Sequence, residues 1–95
     1  MMQEQHLRTS YGITCAGRKA IFEAQEGRCA LCGKKGILPT GKKGQLHKIL
    51  VIDHDHDTGE IRGLIHGRCN RALGILGDNI PGVLNALNYL HYARK

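Results

Sequence analysis

The chain has 95 residues, a formal charge of +6 and only four aromatic residues, with no tryptophan. That length fits one small domain with a thin core, of the kind that needs a staple, and no internal repeat or second domain is expected within it. No stretch is apolar for long enough to cross a membrane, the first residues lack the apolar segment of a secretory leader, and the charge favours a polyanionic partner.

Residues 1–10 are polar and unpatterned and read as a loose N-terminal segment, with a single domain over 11–95. A first helix is expected between Thr14 as N-cap and Gly27 as the C′ residue, with Ala16, Ala20, Ile21 and Ala24 on one face. Cys29-Ala-Leu-Cys32-Gly33 follows, the spacing of a zinc knuckle. Residues 33–45 carry four glycines and four lysines and form a long loop. Its two Lys-Lys-Gly repeats, Lys34-Lys35 and Lys42-Lys43, suit contact with phosphate and equally suit a solvated linker.

Residues 46–52 read as a strand, Asp57-Thr58-Gly59 as the hairpin turn, and residues 60–65 as the returning strand. A helix is expected from Arg68 to about Leu76, stopped at Gly77. The last helix opens at Asp78-Asn79-Ile80-Pro81 and runs to about Ala93. Its apolar residues Ile80, Val83, Leu84, Leu87 and Leu90 can close the chain's own core or face a second chain.

Cys29, Cys32, His66 and Cys69 form two pairs of equal spacing. Three Cys and one His are a structural zinc set with no open position. A redox CxxC needs a βαβ context, and a two-Cys, two-His finger needs a much shorter gap. Cys15 falls outside the pairs and reads as a small apolar residue; its replacing His66 as fourth ligand is the lesser alternative.

Asp53-His-Asp-His56-Asp57 lies inside this clamp. Strand alternation sets Asp53 and Asp55 to one side and His54 and His56 to the other until the turn. The cluster lacks the sixth-position Gly and twelfth-position Glu of a calcium EF-hand loop, having Thr58 and Leu64 there. Phosphodiester hydrolysis needs a base for water, which neutral His suits, and a hard cation on oxygen ligands. The plainer reading of the cluster is an acidic turn.

Asp53-His-Asp-His56, Thr58-Gly59, Arg62-Gly-Leu64 and Cys69-Asn70-Arg-Ala-Leu-Gly74, with Tyr11-Gly-Ile-Thr14 and Cys29-Ala-Leu-Cys32, resemble the recombination endonuclease VII group of HNH, or His-Me finger, nucleases. The resemblance implies a small α+β fold: a zinc-stapled ββα-metal unit with flanking N- and C-terminal helices. It implies a metal-dependent endonuclease on duplex, nicked or branched DNA that leaves 5′-phosphate and 3′-hydroxyl ends. Asp53 and Asn70 would bind a catalytic Mg²⁺ or Mn²⁺, His54 would be the general base, and His56 would support the site or contact phosphate. Arg62, Arg68, Arg71 and the loop lysines would hold the DNA backbone. The group's zinc normally has four Cys ligands, so His66 is a departure; Val51 stands where some members have a further His. The competing expectation is a zinc-stapled DNA-binding module without catalysis. Either would be intracellular, in a bacterium or a phage-infected cell, and a homodimer is compatible with the apolar last helix.

Overall fold

The computed structural model describes residues 13–39 and 44–93. The expectations for residues 1–12 and for Lys42 and Lys43 lie outside the described residues. Helix α1 spans Cys15–Ala24, and the Thr14 hydroxyl caps it by accepting from the Gly17 N–H at 3.0 Å. The helix ends in a Schellman arrangement: the Gly27 N–H donates to the Phe22 carbonyl and the Glu26 N–H to the Glu23 carbonyl, both at 2.9 Å. The C′ residue is therefore Glu26, at φ 58°, and not Gly27. Of the expected apolar face, Ile21 packs on the core, joined by Phe22, while Ala16, Ala20 and Ala24 stay exposed. The helix meets the core along one edge, so only its larger apolar side chains reach it.

The strand expected over 46–52 begins later. Residues Leu46–Lys48 form a 3-10 turn, and β1 is Leu50–His54. The shift puts Asp53 and His54 on the strand. It pairs antiparallel with β2, Ile61–His66, with Leu50 opposite His66 and Asp53 opposite Gly63. The next pair is His54 with Ile61, so Arg62 is the extra residue of a bulge, the kind of irregularity that re-aims a side chain. Gly59, at φ 77°, closes the turn as expected.

The long loop is laced onto this hairpin. Ile37 donates to the Lys48 carbonyl at 2.9 Å and accepts from the Leu50 N–H at 2.8 Å. Gly36 lies against Leu50 so closely that a Cβ there would collide with the Leu50 side chain. Helix α2, Gly67–Ile75, starts directly from β2. Its C-terminus is a second Schellman arrangement, with the expected Gly77 at C′ (φ 100°) and the Asp78 N–H donating to the Leu73 carbonyl at 2.7 Å.

Helix α3, Ile80–Ala93, has no buried residue. Ile80, Val83, Leu84, Leu87 and Leu90 are all exposed, Ile80 at 81%. Of the two alternatives for this apolar face, closing the chain's own core is not realised among the described residues. The core is small: Cys29, Leu50, Leu64, Ile65 and Cys69, with Asp53 and His66 buried beside it. This is a small α+β domain, a hairpin followed by helices and bridged by its Cys and His residues, in a ββα-metal-like arrangement.

Candidate metal centre and phosphate site

The knuckle after α1 brings Cys29 and Cys32 under the start of α2. Ligand atoms of Cys29, Cys32, His66 and Cys69 lie within 4.8 Å of one another. The sulfurs of Cys29 and Cys69 are 3.8 Å apart, and Cys32 Sγ is 3.4 Å from His66 Nδ1. A tetrahedron with zinc–sulfur bonds of about 2.3 Å and a zinc–nitrogen bond of about 2.0 Å has edges of about 3.8 Å and about 3.5 Å. Those two separations match the tetrahedral edges, and the 4.8 Å limit on the others is within about 1 Å of them.

His66 is set for this role by its other nitrogen. Nε2 lies 3.2 Å from the Lys35 carbonyl. A carbonyl only accepts, so Nε2 carries a hydrogen, which leaves Nδ1 as the ring nitrogen available to a metal among the sulfurs. The departure from four Cys is therefore matched by a second partner that selects the correct tautomer.

Backbone groups hold the Cys29 sulfur. Cys29 Sγ accepts from the N–H groups of Leu31, Cys32 and His66, each at 3.4 Å. Burial pushes the Cys29 thiol up, but the N–H groups of Cys32, His66 and Leu31 outweigh it and bring it down to about 6. Burial, and then the neighbouring sulfurs of Cys29 and Cys32, push Cys69 up to about 11. One thiolate is favoured and the next is repelled, a conflict that a dication would relieve. Cys15 begins α1, apart from this cluster.

The other end of the hairpin is built from charge. Asp53, three positions along β1 from Leu50 and so roughly 10 Å from the clamp end of the sheet, is buried. Arg62 grips both its carboxylate oxygens: Nε donates to Oδ2 at 2.8 Å and Nη2 to Oδ1 at 3.1 Å. The same Nη2 donates to Asp78 Oδ1 at 2.7 Å. These contacts, with that of Asp53 first and Asp78 second, raise the Arg62 pKa further above its ordinary value. Asp78 Oδ2 is also 3.8 Å from His56 Nε2. The rings of His54 and His56 lie 5.3 Å apart, in keeping with their expected shared side.

Asp55 does not join Asp53. Its carboxylate accepts from the N–H groups of Asp57 at 2.7 Å and Thr58 at 3.1 Å, and so shapes the turn. Those donors, Thr58 first, hold its carboxyl below the usual range. Asn70 is exposed on α2 next to buried Cys69. Arg71 is exposed on the same helix, and Arg68 donates to the His47 carbonyl at 3.0 Å. Lys34 and Lys35 are exposed; the Lys34 carbonyl accepts from the Cys29 N–H at 2.8 Å. Two clefts meet at Arg62. One of about 820 Å³ lies between the turn and α3 and includes Asp78, and one of about 220 Å³ includes Asp53.

Two participants escape sequence reasoning. The Gln25 amide satisfies Leu64 on the edge of β2: Nε2 donates to the Leu64 carbonyl and Oε1 accepts from the Leu64 N–H, both at 2.9 Å. Thirty-nine residues separate the pair, so no local pattern announces it. Asp78 reads in sequence as a helix opener. Asn79 takes that task, its Oδ1 accepting from the Gly82 N–H at 2.8 Å, which leaves the Asp78 carboxylate to Arg62.

A family model described as recombination endonuclease VII matches residues 4–92. Two relatives are the Gene 59 proteins of Mycobacterium phages D29 and L5, each 40% identical over 88 residues. The match covers 92% of this chain and 48% and 49% of theirs, so the chain spans about half the length of the curated relatives it matches. No solved structure matches the chain. No helix among the described residues is long and apolar enough to cross a membrane.

Proposed function

The chain belongs to the recombination endonuclease VII family, a family of nucleases, and from that premise we propose that it is a metal-dependent DNA endonuclease with a structural zinc. The observation that carries this reading is a clamp of zinc-like spacing beside a strand presenting Asp53 and His54. Cys29, Cys32, His66 and Cys69 hold the zinc, which leaves no open position and is structural. Asp53 and Asn70 offer carboxylate and amide oxygens, hard donors that suit Mg²⁺ or Mn²⁺ and not zinc. When bound there, such a cation neutralises charge on the phosphate and on the leaving 3′ oxygen.

His54 removes a proton from water, which attacks phosphorus in line; the bond to the 3′ oxygen breaks and that oxygen takes a proton from solvent, giving 5′-phosphate and 3′-hydroxyl ends. His56, with Asp78 behind it, supports the site or contacts the phosphate. Arg68, Arg71, Lys34, Lys35, Lys42 and Lys43 meet the DNA backbone and position it without reading sequence. Clamping Cys69 holds its neighbour Asn70 relative to the hairpin, so the zinc serves the reaction through geometry.

One observation favours the second reading, a DNA-binding module without catalysis: Arg62 takes both oxygens of Asp53. Supercoiled plasmid separates the two. Nicking that requires Mg²⁺ or Mn²⁺ and is lost in His54→Ala supports the enzyme; DNA binding with no nicking in any divalent metal refutes it. Cleavage of a four-way junction against matched linear duplex assigns the DNA form. The exposed apolar face of α3 supports a homodimer. Sedimentation should then show a dimer that Leu87→Lys converts to monomer; a monomeric parent protein would exclude it.

A further inference from the structure

We propose that Arg62 is an internal counter-cation that competes with the catalytic metal for Asp53 and withdraws onto Asp78 when the metal binds. The inference rests on Asp53 being a ligand of that metal and adds how its occupancy is controlled. Asp53 is buried, and a buried carboxylate without a partner is costly. Arg62 supplies the partner through two parallel donors, which leaves neither carboxylate oxygen uncontested for a cation.

A second berth already exists. Nη2 touches Asp53 and Asp78 at once, at 3.1 and 2.7 Å, and the shorter contact is to Asp78. The Arg62 side chain is 35% exposed and lines both clefts, one holding each carboxylate. A small rotation toward the larger cleft frees both oxygens of Asp53 while Nη2 keeps Asp78. The bulge makes this geometry: Arg62 has no partner in the β ladder. Released from Asp53, its forked donors face the cleft, where a DNA phosphate can take them. Metal binding thus exchanges one cation for another on Asp53, and Asp78 sets the exchange through Arg62.

The test is Mn²⁺ binding to the zinc-loaded full chain, followed by electron paramagnetic resonance without DNA, with zinc content checked in every variant. Arg62→Gln should bind Mn²⁺ about tenfold more tightly, the equivalent of one charge-assisted hydrogen bond no longer competing. Asp78→Asn should bind more weakly by several fold, because Arg62 then has Asp53 alone. In the Arg62→Gln background, Asp78→Asn should have a much smaller effect, because Asp78 reaches Asp53 through Arg62. If it weakens binding by the same factor in both backgrounds, Asp78 acts by its charge alone and the exchange is refuted, while Asp53 remains a ligand. Asp53→Asn separates the two failures: if it leaves Mn²⁺ binding unchanged, Asp53 is not a ligand, and the exchange falls together with the ligand assignment it rests on.

Discussion

The two ends of one short hairpin solve different problems. At the clamp end, Leu50 pairs with His66, and backbone holds one ligand from each half-site: N–H groups on Cys29 Sγ, a carbonyl on His66 Nε2. At the turn end, Asp53 is held by another side chain, Arg62, which answers to a third, Asp78. Backbone partners cannot move without unfolding the segment; side chains can. The clamp is accordingly built to stay shut, and the turn end to change its partners. Three aliphatic side chains, Leu50, Leu64 and Ile65, are buried, worth roughly 5–9 kcal/mol together. A structural zinc supplies about 10–16 kcal/mol in comparable small domains, so the clamp outweighs the core it adjoins.

The comparison predicts unequal losses. Cys29→Ser, or zinc removal by a strong chelator, should abolish the cooperative thermal transition seen by circular dichroism; a folded metal-free protein would break the distinction. Gly36→Ala should cost about 1–3 kcal/mol in urea unfolding, because the new methyl must displace Leu50 in the core beside the clamp. Asp53→Asn should cost less, about 1–2 kcal/mol, since Arg62 keeps Asp78, and the protein should retain its zinc. Unfolding of that variant would show the turn end to be as rigid as the clamp.

Glu26→Gly should add about 1 kcal/mol, raising the melting temperature by about 4–8 °C, because Glu26 occupies a left-handed C′ position that Gly77 fills without strain at the equivalent place in α2. The smallest effect belongs to Asp55→Ala, which removes two N–H contacts in an exposed turn. A carboxyl held low in the folded state contributes stability above its ordinary value and loses it as pH falls through the lowered one. The gap in melting temperature between Asp55→Ala and the parent protein should therefore be full at neutral pH and close as pH drops below 3.8.

The metal-centre residues were legible because their chemistry is local. Cys29-x-x-Cys32 and His66-x-x-Cys69 each announce a half-site, and metal coordination joins halves that lie far apart in the chain. Thr14, Gly59 and Gly77 were legible for a similar reason, since caps and turns are decided within a few residues. The start of β1 was not. Residues 46–48 run straight into the β-branched residues of 49–52, yet Ile37 from the loop pairs with the backbone on either side of Ile49, and that contact marks where the strand begins. The apolar period of α3 marked a helix but not what covers it, because an amphipathic face reads the same toward a core or a partner.

The sequence alone determined the four-ligand clamp, the acid and histidine cluster within it, the order of helix, hairpin and helices, and the nuclease resemblance. These depend on residue type and short spacing. Only the tertiary structure decided that the Gln25 amide completes the edge of β2 and that Arg62 lies between Asp53 and Asp78. Each of those is a choice of partner among several chemically suitable ones. The first follows from where the end of α1 meets β2 and the second from the single bulge at Arg62, and residue type specifies neither.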